Sequence, residues 1–327
     1  MIAINPGVPT LTRLRRRHGW LAGVIVLFVV LLIIRASQVP TFGGFGLRTV
    51  FAGSLALAFL AMSQAIVVIS GGINMAVGAL MVFTNCLCAS LMKDQSLPAC
   101  IGITVVGLLA SVLISTLMGW ITTVSGVPDI VVTLAASFII AGAAFLVLPT
   151  PGGGIAPDLQ PLLVGGFSNP VPAIILLTLV LAGIWWPFKR SRWGIATYAI
   201  GSNRSAAYLS GVNVRITRIR TYALSGLFVG FAGVVTTAFT GGGEPRAAIG
   251  SAALLTSVAA VVLGGVAISG GTGGLVGPVF AALVLGLIPP LMLGLGWDPN
   301  LAQVASGVIL ILVVLFGGLL QIRRRAS

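Results

Sequence analysis

The sequence predicts an all-α polytopic membrane protein, and three observations carry that prediction. Of 327 residues 57% are apolar and 7% charged, with a mean hydropathy of +1.14, whereas soluble domains carry about 25% charged residues. The apolar residues run continuously and do not alternate, which disfavours a closed β-barrel. The runs are separated by short Gly, Pro or charged breaks, and many approach the ~20 residues a helix needs to cross a hydrocarbon core of about 30 Å.

The chain opens on a tail, residues 1–19, with Arg13, Arg15, Arg16 and Arg17 ahead of an apolar run at 20–34. This pattern has the positive and apolar regions of a signal sequence, but Arg35 and Ser37 stand where small residues would mark cleavage, so an uncleaved first helix is expected. Further spans are expected at 47–69, 76–92, 99–122, 128–148, 171–188, 221–240, 252–268, 275–295 and 300–317, about ten in all. Residues 20–317 then form one transmembrane domain with a polar loop at 189–220, followed by a tail at 318–327. An even count puts both termini on one side. If that side is cytoplasmic, it collects 14 of the 18 cations, leaving Arg35, Arg48, Lys93 and Arg246 outside, as the positive-inside rule requires. The net charge of +13 therefore reads as topology in a bacterial inner (plasma) membrane; the arginines are not interleaved with stacking aromatics in a nucleic-acid module.

Among the acids, Asp94, Asp158, Glu244 and Asp298 fall in external loops. Asp129 follows Pro128 in what reads as the first turn of a helix, where a negative charge gains about 0.3–1 kcal/mol from the helix dipole. No span interior carries a carboxylate, which argues against a carrier coupled through an embedded ionisable group; a stand-alone secondary carrier using backbone carbonyls at broken helices remains the alternative. No GxxxxGK[ST] loop is present, since Lys93 and Lys189 follow Met92 and Phe188, so ATP chemistry belongs to a partner chain and this chain is expected to be neither an enzyme nor a cofactor carrier. Cys86, Cys88 and Cys100 lack His or acidic companions and read as small packing residues, with no metal site.

The polar loop holds the most informative segment. Residues 201–212 read as a short helix: Asn203 suits the N-cap, Gly211 suits the exit, and Tyr208 and Leu209 give the helix an apolar side. From spacing alone it is equally a surface connector or a helix for a partner's groove. The runs Arg192-Trp-Gly-Ile-Ala-Thr-Tyr-Ala-Ile-Gly-Ser-Asn203 and Ala206-Ala-Tyr-Leu-Ser-Gly-Val-Asn213 resemble the cytoplasmic loop of ribose-type ABC permeases. The likeness continues through Ser70-Gly-Gly-Ile-Asn-Met-Ala-Val-Gly78, Ala259-Ala-Val-Val-Leu-Gly-Gly265 and Gly270-Gly-Thr-Gly-Gly-Leu-Val-Gly277, and spans most of the chain from about residue 50. The resemblance implies the ABC importer permease fold, working as a pair (a second copy or a homologous permease) beside ABC ATPase subunits that hold ATP and Mg, and a periplasmic substrate-binding protein. It also implies import of a sugar or similar small polar solute, with Asn203, Arg204, Ala206, Ala207, Tyr208, Leu209, Ser210 and Gly211 as the helix that contacts the ATPase. Related branched-chain amino acid permeases are the nearest alternative. Asn74 stands where the family commonly has Asp, and Ser251-Ala-Ala-Leu-Leu-Thr-Ser-Val258 lacks the family's acidic residue, so the solute is left open.

The segments Ile69–Gly78 and Ile268–Gly277 agree at six of ten positions. In this threading both join an inward span to the returning one. Glycines of this kind let helices break or approach closely, and exposed backbone is tolerated at membrane depth only beside protein or a water-filled path. Gly71, Gly72, Gly270 and Gly271 are accordingly candidate pore lining, together with the polar span residues Gln64, Asn74, Asn85 and Thr133. On the outer face Arg48, Lys93 and Arg246 are candidate contacts for the binding protein.

Overall fold

The computed structural model describes residues 10–39, 42–296, 298, 301, 304, 307, 308 and 311, with side chains from Trp20 onward. The expected span at 300–317 and the tail at 318–327 fall outside the described residues apart from those isolated positions. Among the described residues the regular structure is helical, with a single bridge between Gly152 and Gly243.

The elements are α1 (Thr10–Gln38), α2 (Gly44–Ile69), α3 (Val77–Met92), α4 (Leu97–Ser125), α5 (Asp129–Val147), α6 (Leu159–Val164), α7 (Val171–Val180), α8 (Trp186–Arg190), α9 (Arg192–Ser202), α10 (Arg204–Leu209), α11 (Val214–Thr240), α12 (Ala247–Leu263) and α13 (Val276–Gly294). One π turn, Leu181–Trp185, makes α7 and α8 continuous. Seven of the described helices are long and apolar enough to cross a membrane: α1 from Trp20, α2, α4, α5, the α7–α8 unit, α11 and α13.

The expected spans at 76–92 and 252–268 need correction. Their helices, α3 and α12, have 16 and 17 residues and reach only about 24–26 Å at 1.5 Å per residue. Each is entered through backbone that is not helical, residues 70–76 before α3 and 241–246 before α12. α12 also ends at Leu263, where Gly264 packs against Gly277 and Pro278 and Gly265 takes a φ of +79°. The two short helices meet where their first turns pass, Gly78 against the backbone of Gly250.

Contacts between element ends order the crossings. One membrane face gathers the start of α1, the end of α2, the start of α5, α9 and the α12–α13 connection: Trp20 Nε1 donates to Leu263 O at 2.6 Å and Gly271 N to Ile69 O at 2.9 Å. The opposite face gathers the end of α3, the α5–α7 connection and the start of α2, with Gly154 N donating to Ala89 O at 2.9 Å and Arg48 Nε to Gly165 O at 3.2 Å. The ends of consecutive long elements therefore alternate between the two faces from α1 to α13.

α2 is the central helix. Every residue from Ala58 to Ile69 is buried, the signature of a helix enclosed on all sides. α11 lies against it through Ser63–Ser225 (2.7 Å) and Phe59–Phe231. α11 crosses α4 through small residues at four-residue spacing, Gly226 against Ser111 and Ser115, and Gly119 against Tyr222, the close approach that substitutes for a hydrophobic drive in lipid. The outer helices show lipid-facing surface, for example Leu113 on α4 and Phe138, Ile139 and Leu146 on α5, each at least 70% exposed.

Candidate functional site

Three capping side chains build the polar segment. Ser191 Oγ accepts from Gly194 N (3.3 Å), Asn203 Oδ1 from Ala206 N (2.9 Å) and Asn213 Oδ1 from Ile216 N (3.1 Å), starting α9, α10 and α11 in turn; such caps satisfy donors the helix leaves free. The chain leaves α10 through Gly211, whose φ of +81° lies in the left-handed region, and Gly211 N and Val212 N return to Tyr208 O and Ala207 O at 2.9 and 3.0 Å. Within α10 the faces divide sharply. Ala207 is buried, while Tyr208 and Leu209 are 70% and 85% exposed. Arg204 and Ala206 are exposed at the start of this helix, and Ser210 closes it by donating its hydroxyl to Ala206 O at 2.9 Å.

Directly beneath α10 the two glycine motifs meet. Gly201, near the end of α9, packs against Ile69 O and Gly271 N; Gly270 faces Gly71 and the Gly201 carbonyl; Ser202 packs on Gly271. Any side chain on Gly201 would collide with this backbone. Tyr198 on α9 donates its hydroxyl to Gly273 O at 2.8 Å, and burial pushes that phenol up to about 12. Residues 70–76 and 268–274 are thus clasped together by the helix that precedes α10.

The other side of the first motif rests on α5. Gly72 stands against the Asp129 carboxylate, Met75 N donates to Thr133 Oγ1 at 2.9 Å, and Thr133 donates to Asp129 O at 2.7 Å. Asp129 follows the N-cap Pro128 as the first residue of α5. It pairs with Arg218 on α11, and both side chains are nearly buried. Burial, then repulsion from Arg218, lower the pKa of Arg204 at the start of α10, with Asp129 opposing.

The remaining sequence-selected residues separate by environment. Asn74 and Gln64 are fully buried, and Asn74 Nδ2 and both Gln64 amide atoms have no hydrogen-bond partner. Asn74 Oδ1 accepts from Ala76 N at 3.0 Å, at the entry to α3. Asn85 is fully engaged: its Nδ2 donates to Thr237 Oγ1 (2.9 Å) and Gly242 O (3.0 Å), and its Oδ1 accepts from Glu244 N (3.0 Å). It fastens the α11–α12 connection to α3. On the far face Lys93 is exposed at the end of α3, Arg48 is tied to Gly165, and Arg246 pairs with Glu244 at 2.6 Å. Cys86, Cys88 and Cys100 are buried free thiols, and no group of three metal-ligating side chains occurs among the described residues.

Sequence reasoning missed the Asp129–Arg218 pair, the Asn85 clamp and the role of α9 as a clasp. Each joins residues 69 or more positions apart, a separation that leaves no local pattern to read. The contact between the glycine motifs had one signal, their mutual similarity.

Comparison with known proteins gives a consistent pattern. Residues 46–314 match the model of the family described as branched-chain amino acid transport system / permease component. The chain is 31% identical over 309 residues to the probable ABC transporter permease protein y4mJ of Sinorhizobium fredii (strain NBRC 101917 / NGR234), covering 94% of this chain and 90% of the relative. It is 30% identical over 268 residues to the inner membrane ABC transporter permease protein YjfF of Escherichia coli (strain K12), covering 79% of each. It is 28% identical over 299 residues to the ribose import permease protein RbsC of the same strain, covering 89% of this chain and 91% of the relative. No solved structure matches the chain.

Proposed function

The chain belongs to the branched-chain amino acid transport system / permease component family, and from that premise we propose that it is the membrane-spanning subunit of an ATP-binding-cassette importer for a sugar or similar small polar solute. The observation that carries this reading is the position of α10: a short helix with an uncovered apolar tip, Tyr208 and Leu209, mounted through Gly201 and Ser202 on the junction of both glycine segments. A pull on that tip has a short route to the backbone that opens α3 and α13.

In this account two ATPase subunits hold ATP and Mg and close on α10, with both termini of the chain on the same cytoplasmic side. The displacement passes through α9 to residues 70–76 and 268–274, and through Arg218 and Asp129 to the foot of α5. Packed elements shift between discrete arrangements, not continuously, and two such permeases, identical or homologous, enclose the path between them. Gln64 and Asn74 are the candidate groups for meeting the solute, because the Gln64 amide and Asn74 Nδ2 have no partner within the chain; both are fully buried in this conformation, so the motion must uncover them. A periplasmic binding protein docks on the face bearing Arg48, Lys93 and Arg246 and supplies the selectivity. The sugar assignment rests on relatives such as the ribose import permease; a branched-chain amino acid is the second reading, favoured by the description of the family.

Affinity purification of this chain from its native membrane in gentle detergent tests the assembly. Recovery of a nucleotide-binding subunit with ATPase activity is expected. A chain recovered alone, with uptake intact and abolished by an uncoupler, supports a secondary carrier instead.

A further inference from the structure

Between α9, the α10–α11 connection and the first turns of α11 lies a groove of about 360 Å³, lined by the apolar Ala196, Val212 and Ile216 and by Arg192, Trp193 and Arg220, with Gly211, Asn213 and Thr217 completing it. Both guanidinium groups approach the Trp193 ring, Arg220 at 3.2 Å and Arg192 at 4.5 Å from the centroid. One turn earlier in the chain Arg190 lies 4.3 Å from the ring of Trp186, which is 55% exposed at the end of the lipid-facing α7–α8 crossing. Segment 189–220 contains seven cations and no acid. No carboxylate lines the groove, and Asp129 is already taken by Arg218.

We infer that this groove holds the headgroup of an anionic phospholipid. The groove stands where the α7–α8 crossing ends and α11 begins, and tryptophan and arginine concentrate at the ends of such crossings, where headgroups lie. A guanidinium held against an indole keeps its donors in one plane, and that fork matches phosphate oxygens. The apolar walls suit the glycerol and upper acyl segment, which a free anion lacks. The exposed tip of α10, Tyr208 and Leu209, does not line the groove, which reaches only Gly211 at the exit of that helix. Anionic headgroups draw arginine by an amount worth about 5-fold in occupancy for each cation near the surface. The site rests only on the membrane-spanning character of the chain and holds whether or not the importer reading does.

The test is native mass spectrometry of the full chain released from nanodiscs of phosphatidylglycerol mixed with phosphatidylcholine. Phosphatidylglycerol is expected to stay bound preferentially, and R192Q/R220Q is expected to lose most of that preference. R192K/R220K keeps most of the preference, and R215Q, an exposed cation of the same segment outside the groove, keeps all of it. Equal retention of the two lipids overturns the site, as does an equal loss in R215Q, which indicates diffuse surface charge. Displacement of the lipid by millimolar inorganic phosphate indicates a free-anion site instead. A photocrosslinker at Ile216 that captures the ATPase subunit and no lipid also contradicts it.

Discussion

Arg218 in the second turn of α11 donates to the carboxylate of Asp129 in the first turn of α5, with side chains 8% and 9% exposed. This pair ties the helix that follows α10 to the helix that braces residues 70–76. Asp129 lies in the first turn of α5, as expected, and carries this tertiary role besides.

Removing one member leaves a buried charge without its partner, which costs about 3–5 kcal/mol. Asp129→Asn should therefore lower the unfolding temperature of the detergent-purified chain, and Asp129→Asn with Arg218→Met should recover most of the loss. If the pair also transmits motion, the double variant folds yet couples ATP hydrolysis to uptake poorly. An unfolding temperature unchanged in Asp129→Asn contradicts the assignment.

The two faces of α10 separate coupling from folding. Ala207 is buried, so Ala207→Asp places a charge in the packing beneath the helix and should reduce the amount of folded chain. Tyr208→Asp and Leu209→Asp alter only exposed side chains. They should leave insertion and thermal stability unchanged while reducing uptake at least tenfold. Uptake at the wild-type rate in both exposed-tip variants excludes α10 as the coupling element.

The glycine junction makes a contrast between two positions in helices. A methyl group on Gly201 meets the backbone of Ile69 and Gly271, whereas Gly142 on α5 has open space around it. Overpacking of this kind costs roughly 1–3 kcal/mol, and Gly→Ala in an unhindered helix gains up to about 1 kcal/mol. Gly201→Ala should destabilise and Gly142→Ala should be neutral or stabilising in the same thermal assay; the reverse order refutes the close approach.

The sequence made some of this architecture legible and concealed the rest for identifiable reasons. Long apolar runs announce α2, α4, α5 and α11 because lipid demands length. Asn203 and Gly211 announce α10 because capping is local. The short helices α3 and α12 were read as full crossings, since apolarity continues through the glycine-rich backbone that precedes or follows them. Asn85 looked like other polar residues in apolar runs; only its pairing with Thr237 and Gly242, over 150 positions away, identifies it as a clamp.

Asn85 and Gln64 should respond differently to the same change. Asn85→Leu loses three hydrogen bonds of roughly 1 kcal/mol each and leaves buried groups unpaired, so stability falls. Gln64→Leu removes an amide with no partner and should preserve or raise stability while altering the apparent KM or rate of uptake. A Gln64→Leu variant with wild-type uptake removes Gln64 from the path.

The most direct measurement is uptake of labelled sugar into proteoliposomes holding this chain with its ATPase and binding protein. Accumulation that requires ATP inside the ATPase-bearing compartment, survives an uncoupler and disappears with Tyr208→Asp/Leu209→Asp is the predicted result. Accumulation without ATPase, driven by an ion gradient and indifferent to those two residues, would contradict the account.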